Sequence, residues 1–229
     1  MISGFEFVPR GLAIACLALV GACNTVNYVD RGNVETVHAA PADTGAFARQ
    51  VDFHLTRAFY ETPPDCVMVM PVALPKETPG DLGRNIDRAV ARHLNGYVDR
   101  VIDAHRVRAE ARQRALDPAA GDDRRRLGRG LRCDSLMEVE TAGIESFYAV
   151  IWANLSVGLR LTLKRARDGQ VLWRGAHTAE RMDGGLPITI FGAGMFSAGR
   201  LAGDSDAVPS MIDDSLRRTL ASLPNMRRN

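Results

Sequence analysis

The chain has 229 residues, a formal net charge of +2, and a composition that is 46% hydrophobic and 24% charged. This is the composition of an ordinary globular protein, and the length fits one domain with appendages. A charge so near zero gives no global field to attract nucleic acid, so we expect no nucleic-acid partner.

The first residues have the pattern of a secretory signal. A short leader precedes the apolar run Gly11 to Val20, which is too short to remain as a membrane span. The run ends in Val20-Gly21-Ala22-Cys23, which resembles the bacterial lipobox, where an aliphatic residue and two small residues precede an obligatory cysteine. The resemblance implies cleavage between Ala22 and Cys23 and acylation of Cys23. The alternative is an ordinary signal peptide with a chance cysteine beside the cut.

Lipidation predicts a location. Each buried CH2 of an acyl chain contributes about 0.8 kcal/mol, so several chains on Cys23 would hold the protein on a membrane almost permanently. The next residue is Asn24 rather than the aspartate that retains lipoproteins resembling enterobacterial ones at the inner membrane. We therefore expect the periplasmic face of the outer membrane, with the inner membrane as the alternative.

The mature chain is predicted to begin with a flexible tether over residues 23–44, followed by a single α/β domain over 45–225. The tether assignment depends on Gly, Pro, Asn and Asp without a steady period. Apolar residues at Phe47, Val51, Leu55 and Phe59 then recur every four positions, which predicts an amphipathic helix from Gly45 to Tyr60.

The middle of the chain predicts parallel strands joined by helices. The continuous apolar run Cys66 to Val72 is typical of a strand buried on both faces. Apolar positions from Leu82 to Tyr97 share one helical face, and a short strand Val98–Ile102 follows. Two further helices and a third strand complete the order β-α-β-α-α-β, at Ala104–Leu116, Arg124–Leu131 and Asp134–Val139.

The later part predicts an antiparallel hairpin. Leu155, Val157, Leu159, Leu161 and Leu163 alternate with polar residues, as in a strand with one dry and one wet face. A loop of Arg167-Asp168-Gly169, with glycine left-handed, would pair Leu163 with Trp173 on the dry face. A two-residue loop would instead pair Lys164 with Trp173 and expose the indole.

A last helix is predicted from about Asp206 to Leu220, with acids early and arginines late. The expected fold is α/β, with a mixed sheet, a parallel βαβ start, a long antiparallel hairpin, and helices packed mainly on one face.

Two cysteines remain after the signal peptide and Cys23. Cys66 and Cys133 each stand at the start of a predicted buried strand, so parallel neighbouring strands would bring both sulfurs to one sheet edge. An oxidising periplasm favours a disulfide, whereas the geometry of parallel neighbours favours two inert buried thiols. Both alternatives stay open.

Residues that carry chemistry give little sign of catalysis. Glu138 and Glu140 share a strand face but have no evident facing partner, and the five histidines have no metal-ligand spacing. We therefore expect no enzyme activity, no cofactor and no metal. The clearest charged feature is a run of arginines, namely Arg106, Arg108, Arg112, Arg114, Arg124, Arg125, Arg126, Arg129 and Arg132. Such a run is usually a solvated helix face, and the sharper hypothesis is a surface for anionic headgroups or an acidic partner.

One apolar segment suggests assembly. The stretch Leu186 to Leu201 is rich in small residues and contains Gly192-Ala193-Gly194, which lacks the lysine of a phosphate loop. The segment is short for a membrane span, so we interpret it as a core or interface helix, with membrane contact or oligomer assembly as the sharper hypothesis.

Several motifs together resemble a class of bacterial envelope lipoproteins that includes CsgG and LpoB. They are a V-x-V-x-P strand (Val67, Val69, Pro71), a Cys133-Asp134 step into a strand, and a hairpin ending in Gly169-x-Val171-Leu172-Trp173. The resemblance implies a periplasmic protein that binds or assembles with another envelope component. The alternatives are a subunit of an oligomeric export or transport assembly and, less favoured, a cell-wall hydrolase.

Overall fold

The computed structural model describes residues 26–39, 50–74, 80–148, 153–182 and 207–228. The predicted signal peptide, Cys23 and the apolar segment from Leu186 to Leu201 lie outside these ranges. The seven strands form one mixed sheet in the order β1-β2-β7-β6-β5-β3-β4. The strands are β1 (Asn27–Asp30), β2 (Gln50–Leu55), β3 (Cys66–Val69), β4 (Arg100–Ile102), β5 (Ser135–Tyr148), β6 (Ala153–Arg165) and β7 (Val171–Met182). The α-helices are α1 (Arg57–Glu61), α2 (Gly80–Leu94), α3 (Ala104–Arg114), α4 (Gly121–Leu131) and α5 (Ala207–Leu220).

Strand β3 has apolar contacts on both faces, which explains its continuous apolar sequence. Val67 and Val69 pack in the cluster that holds the buried sides of α2 and α5. Cys66 and Met68 pack in the cluster that holds α3 and α4. β3 runs parallel to both β4 and β5, so the predicted β-α-β-α-α-β order with helical crossovers is confirmed.

The hairpin of β6 and β7 confirms the predicted register. Leu163 pairs with Trp173, whose side chain is fully buried, and Gly169 has a φ of 75°. The pairing shifts by one residue beyond Leu163, where Lys164 pairs with Val171. This bulge lets the adjacent Leu172 and Trp173 both enter the core, which a regular strand would forbid.

The mixed α/β sheet with a parallel start and a long hairpin is the predicted fold class. α5 covers β7 and β6 on one face, together with α2. On the opposite face, α3 and α4 cover the end of the sheet at β3. The helices therefore lie mainly on one face only over the hairpin half of the sheet.

The predicted tether and the predicted helix at residues 45–60 differ from the structure. Asn27–Asp30 form an edge strand parallel to β2, so this part of the segment belongs to the sheet. Gln50–Leu55 form β2 rather than a helix, and in the described part of this segment the helix is confined to Arg57–Glu61. The spacing of four hid a second pattern, because Val51, Phe53 and Leu55 also alternate as in a strand. Pairing with β7, more than a hundred residues away in sequence, selects the strand.

Residues 31–38, which follow β1, cross the polar face of the sheet. Val37 is fully buried there, and the carbonyl oxygen of Val34 accepts a hydrogen bond of 2.6 Å from Arg174. Arg31 forms an ion pair of 2.8 Å with Asp52, whose side chain is 7% exposed. Residues 31–38 therefore cover part of the face that the helices leave open.

Candidate functional site

A disulfide joins Cys66 and Cys133 at the start of β3 and β5. The two Cα atoms are 5.4 Å apart, and the cysteines are 67 residues apart in sequence. Both side chains are buried among α3 and α4, so the bond fixes the edge of the sheet where the parallel strands begin.

A charged cavity of about 450 Å³ lies at this same edge, which we call the strand-start edge. It is lined by three aspartates and three arginines, namely Asp65, Asp99, Asp134, Arg100, Arg132 and Arg228. Arg228 near the C-terminus holds one wall, because its guanidinium lies 2.9 Å from the Asp65 carboxylate and 3.9 Å from that of Asp99.

A second cavity of about 170 Å³ adjoins the first and shares Asp134 with it. Arg125 and Arg129, one turn apart on α4, line it together with Arg167. α4 approaches this closely because Gly128 faces the Cys133 carbonyl, where a Cβ atom would lie only 2.9 Å from that oxygen. Among the described residues, the side chains of Arg129 and Arg132 have no ion-pair partner.

Arg132, at this same edge, has an unusual backbone conformation. It caps α4 in the left-handed conformation with φ 52°, a position that favours glycine. A non-glycine residue in this conformation costs of order 1 kcal/mol.

A third cavity of about 580 Å³ lies between α2 and α3. Its charged wall contains Asp87, which is 4% exposed and accepts a hydrogen bond of 2.9 Å from the Val72 backbone N–H. Asp87 also pairs with Arg108, and Arg84 and Arg88 complete the cationic part of the rim, which His105 also lines. The buried carboxylate therefore fixes Arg108 at the cavity wall.

The two glutamates that share a strand face are both bound by cations. Glu138 lies 2.7 Å from Arg124 and 2.5 Å from Lys164, and Glu140 is paired with Arg160. These ion pairs connect α4 and β6 to β5.

The histidines are dispersed over the structure. His54 lies 2.8 Å from Asp30, and His93 lies 3.0 Å from Asp213. The hydrogen bond from His54, together with one from the Gly32 N–H, lowers the pKa of Asp30 below its usual 3.8. His38, predicted to lie in the tether, is 3.1 Å from Arg160, and His177 is 2.7 Å from the Gln50 carbonyl. No group of three metal-ligating side chains occurs within the described ranges.

Arg125, Arg129 and Arg132 belong to the arginine run for which the sequence suggested an anionic partner, and the structure brings them to one edge of the sheet. It missed the aspartates that alternate with these arginines, and it missed Asp87. The only sequence signal for the aspartates was their recurrence just before each parallel strand, at Asp65, Asp99 and Asp134. In the part of the chain that the structure describes, no helix has the length and apolar character of a membrane span.

No protein-family model and no curated protein matches this chain. Solved structures do. The PelC dodecamer from Paraburkholderia phytofirmans is 16% identical, with 78% of this chain and 98% of that chain covered and a TM-score of 0.46. Lipoprotein GNA1162 from Neisseria meningitidis is 19% identical, with 66% and 100% covered and a TM-score of 0.46. The LpoB C-terminal domain from Salmonella enterica is 14% identical, with 50% and 81% covered and a TM-score of 0.35. The matched structures thus include a bacterial lipoprotein, but at these values they carry no argument about role.

Proposed function

We propose that this chain is a non-enzymatic lipoprotein, anchored through Cys23 to the periplasmic face of the outer membrane, that binds another envelope component. The observation that carries the proposal is the use of its cysteines. Of the four, Cys16 lies in the apolar signal run, Cys23 stands at the lipobox, and Cys66 and Cys133 form the disulfide. Structural disulfides belong to oxidising compartments such as the periplasm, so the bonded pair supports export independently of the N-terminal pattern.

The strand-start edge is the surface we assign to the partner. Arginine guanidinium groups bind carboxylates in a bidentate geometry. The guanidinium groups of Arg129 and Arg132, which have no ion-pair partner among the described residues, are available for such contacts. The interleaved Asp134 and Asp65 would repel a uniform polyanion but would match a surface of mixed sign. The partner is therefore a protein whose surface carries both acidic and basic residues, with carboxylates placed to meet Arg129 and Arg132.

The anchor is tested by intact mass and membrane fractionation of wild-type protein and Cys23→Ala. We expect an acylated N-terminal Cys23 and membrane-bound protein for the wild type, and release of the variant. A wild type and variant that fractionate alike would remove Cys23 as the anchor.

The partner surface is tested by crosslinking and co-purification from the envelope with Arg129→Glu/Arg132→Glu. Loss of two charge-assisted contacts, each worth about 1.5–3 kcal/mol, should lower partner recovery by at least about tenfold. The control is Arg57→Glu/Arg112→Glu, which makes the same change of charge at two exposed positions away from the cavities. Equal loss in both variants would show general charge attraction and would contradict a specific surface.

A second candidate function is a subunit of an oligomeric export or transport assembly. The apolar run Leu186 to Leu201, rich in small residues, favours it. Native mass of the detergent-solubilised protein separates the two: a monomer with a co-purified partner supports the first, and a homo-oligomer that loses subunits on deletion of residues 188–196 supports the second.

A further inference from the structure

The cavity of about 580 Å³ between α2 and α3, which we call the α2–α3 cavity, is used by neither the proposed anchor nor the proposed partner surface. Its volume lies within the range of about 300–1,000 Å³ that small-molecule sites occupy. Asp103 and Ala104 on its wall directly follow Ile102, the last residue of β4. The cavity therefore lies at the end of the parallel strands opposite the strand-start edge.

The topology of the sheet opens a crevice at this position. β3 and β4 are neighbouring parallel strands, and the helices that follow them lie on opposite faces of the sheet. α2, which follows β3, packs in the cluster that contains Val67 and Val69. α3, which follows β4, packs in the cluster that contains Cys66 and Met68. Ligands of open parallel α/β sheets bind beyond the carboxyl ends of two strands whose helices diverge in this way.

The wall of the α2–α3 cavity is cationic. It contains three arginines and two aspartates, which gives a net charge of +1, namely Arg84, Arg88, Arg108, Asp87 and Asp103. The start of α3 lies in the same wall, at Ala104 and His105. The first backbone N–H groups of a helix have no acceptor within it, and this end carries about half a positive charge.

Both aspartates of the wall are already bound within the protein. Asp87 accepts a hydrogen bond from the Val72 N–H and pairs with Arg108. Asp103 accepts a hydrogen bond of 2.9 Å from the Arg106 N–H and so caps α3. The two carboxylates therefore hold Arg108 and the start of α3 in place.

Arg88 and Arg84, one turn apart on α2, are the cations that remain for a ligand. The Arg88 guanidinium donates a hydrogen bond of 2.6 Å to the Asn85 side chain and has no carboxylate partner among the described residues. Arg84 pairs with Asp81, whose side chain is 81% exposed, and exposed pairs contribute little to stability. A bound anion can therefore take up both guanidinium groups at small cost.

The charge of the wall indicates the class of ligand. A phosphate monoester carries about −1.5 to −2 at pH 7, which matches the wall and the end of α3 better than the single charge of a carboxylate does. The buried Ala91 and Ala104 add an apolar part of the wall for the rest of the molecule. We propose that the α2–α3 cavity binds a small soluble phosphate monoester, with Arg84, Arg88 and the start of α3 around the phosphate group.

Isothermal titration calorimetry of the full chain in a phosphate-free detergent buffer tests this, with glucose 6-phosphate and glycerol 3-phosphate as probes. We expect saturable binding by the wild type. Arg88→Gln should bind at least about tenfold more weakly, because it loses a charge-assisted hydrogen bond to the phosphate. Equal thermal unfolding midpoints of wild type and variant exclude loss of folding as the cause, and Arg84→Gln repeats the test at the neighbouring guanidinium.

Two control variants remove arginines elsewhere. Arg112→Gln removes an exposed charge from α3 outside the cavity, and Arg129→Gln/Arg132→Gln removes the charges of the strand-start edge. Both should keep the wild-type affinity for the two probes. A loss in the strand-start variant without a loss in Arg88→Gln would overturn the proposal, because the phosphate would then bind at the partner surface.

Three other results would overturn the proposal. The first is the absence of saturable binding of either probe at millimolar concentrations, or equal affinity in wild type and Arg88→Gln. The second is equally tight binding of glucuronate, the carboxylate counterpart of glucose 6-phosphate. The third is binding of dihexanoyl phosphatidic acid more than about tenfold tighter than that of glucose 6-phosphate, which would assign the cavity to a lipid headgroup instead of a soluble molecule.

Discussion

The two halves of the sheet are stabilised differently. In the covered half, β3 lies between helices on both faces and the disulfide closes its edge. In the open half, β2, β7 and β6 have helix α5 on one face and, on the other, the ion-paired segment 31–38. The covered half is built by local crossovers, whereas the open half requires strands from distant parts of the chain to meet. Both halves bury apolar side chains, but the first is also held by a disulfide, whereas one face of the second is closed by an ion-paired segment instead of helices.

Removing the disulfide gives the largest expected effect. Cys66→Ala/Cys133→Ala should lower the free energy of unfolding by about 4 kcal/mol in the chain-entropy model, because the bond closes a loop of 67 residues. Urea unfolding measures this, and reduced wild-type protein is the matched control. Unchanged unfolding midpoints in both would mean that the covered half does not depend on the bond.

The buried carboxylate of Asp87 comes next. Asp87→Ala removes a hydrogen bond to the Val72 N–H and the ion pair with Arg108, so unfolding should become easier by about 2–3 kcal/mol. Asp81→Ala is the control on the same helix, because that carboxylate is 81% exposed and pairs only with Arg84. A similar loss for both variants in urea unfolding would contradict the distinction between the buried and the exposed pair.

Packing in the open half is tested at Gly175. Its Cβ position is occupied by the Trp173 indole and by the Thr219 methyl of α5 at 2.8 Å, so Gly175→Ala should lower the free energy of unfolding by about 2 kcal/mol. Gly121→Ala is the control, since no atom lies within 4 Å of its Cβ position, and it should leave the midpoint nearly unchanged. If Gly175→Ala also leaves the midpoint of thermal unfolding unchanged, β7 and α5 do not pack as closely as the structure shows.

The same division explains what the sequence could predict. The covered half was predictable because Cys66 to Leu131 alternates short strands and helices that pack on their sequence neighbours. The register of Leu163 with Trp173 was predictable because only one pairing puts the indole in the core. β2 was missed because its partner β7 lies more than a hundred residues along the chain, and a four-residue spacing fits a helix as well as a strand. β1 was missed because it pairs with β2, which was itself predicted as a helix. The arginines of the strand-start edge were visible in the sequence, but the aspartates between them gather only when parallel strands start side by side.

The smallest expected effect is the loss of stability when Asp30 is protonated at low pH. Hydrogen bonds from His54 and from the Gly32 N–H lower the folded pKa of Asp30 below its usual 3.8, so the pair contributes stability above pH 3.8 and loses it as pH falls through the folded value. Acid should therefore loosen β1 before the rest of the sheet, and amide hydrogen exchange of Asn27–Asp30 measures that. Asp30→Asn should remove the pH dependence. β4 is the matched edge strand in the covered half. Its protection factors, which correct for the intrinsic pH dependence of amide exchange, should stay constant over the same range, because Val101 and Ile102 pack in apolar clusters that do not titrate. Equal loosening of β1 and β4 would mean that both halves respond to acid as one unit and that charge pairs do not set the open half apart.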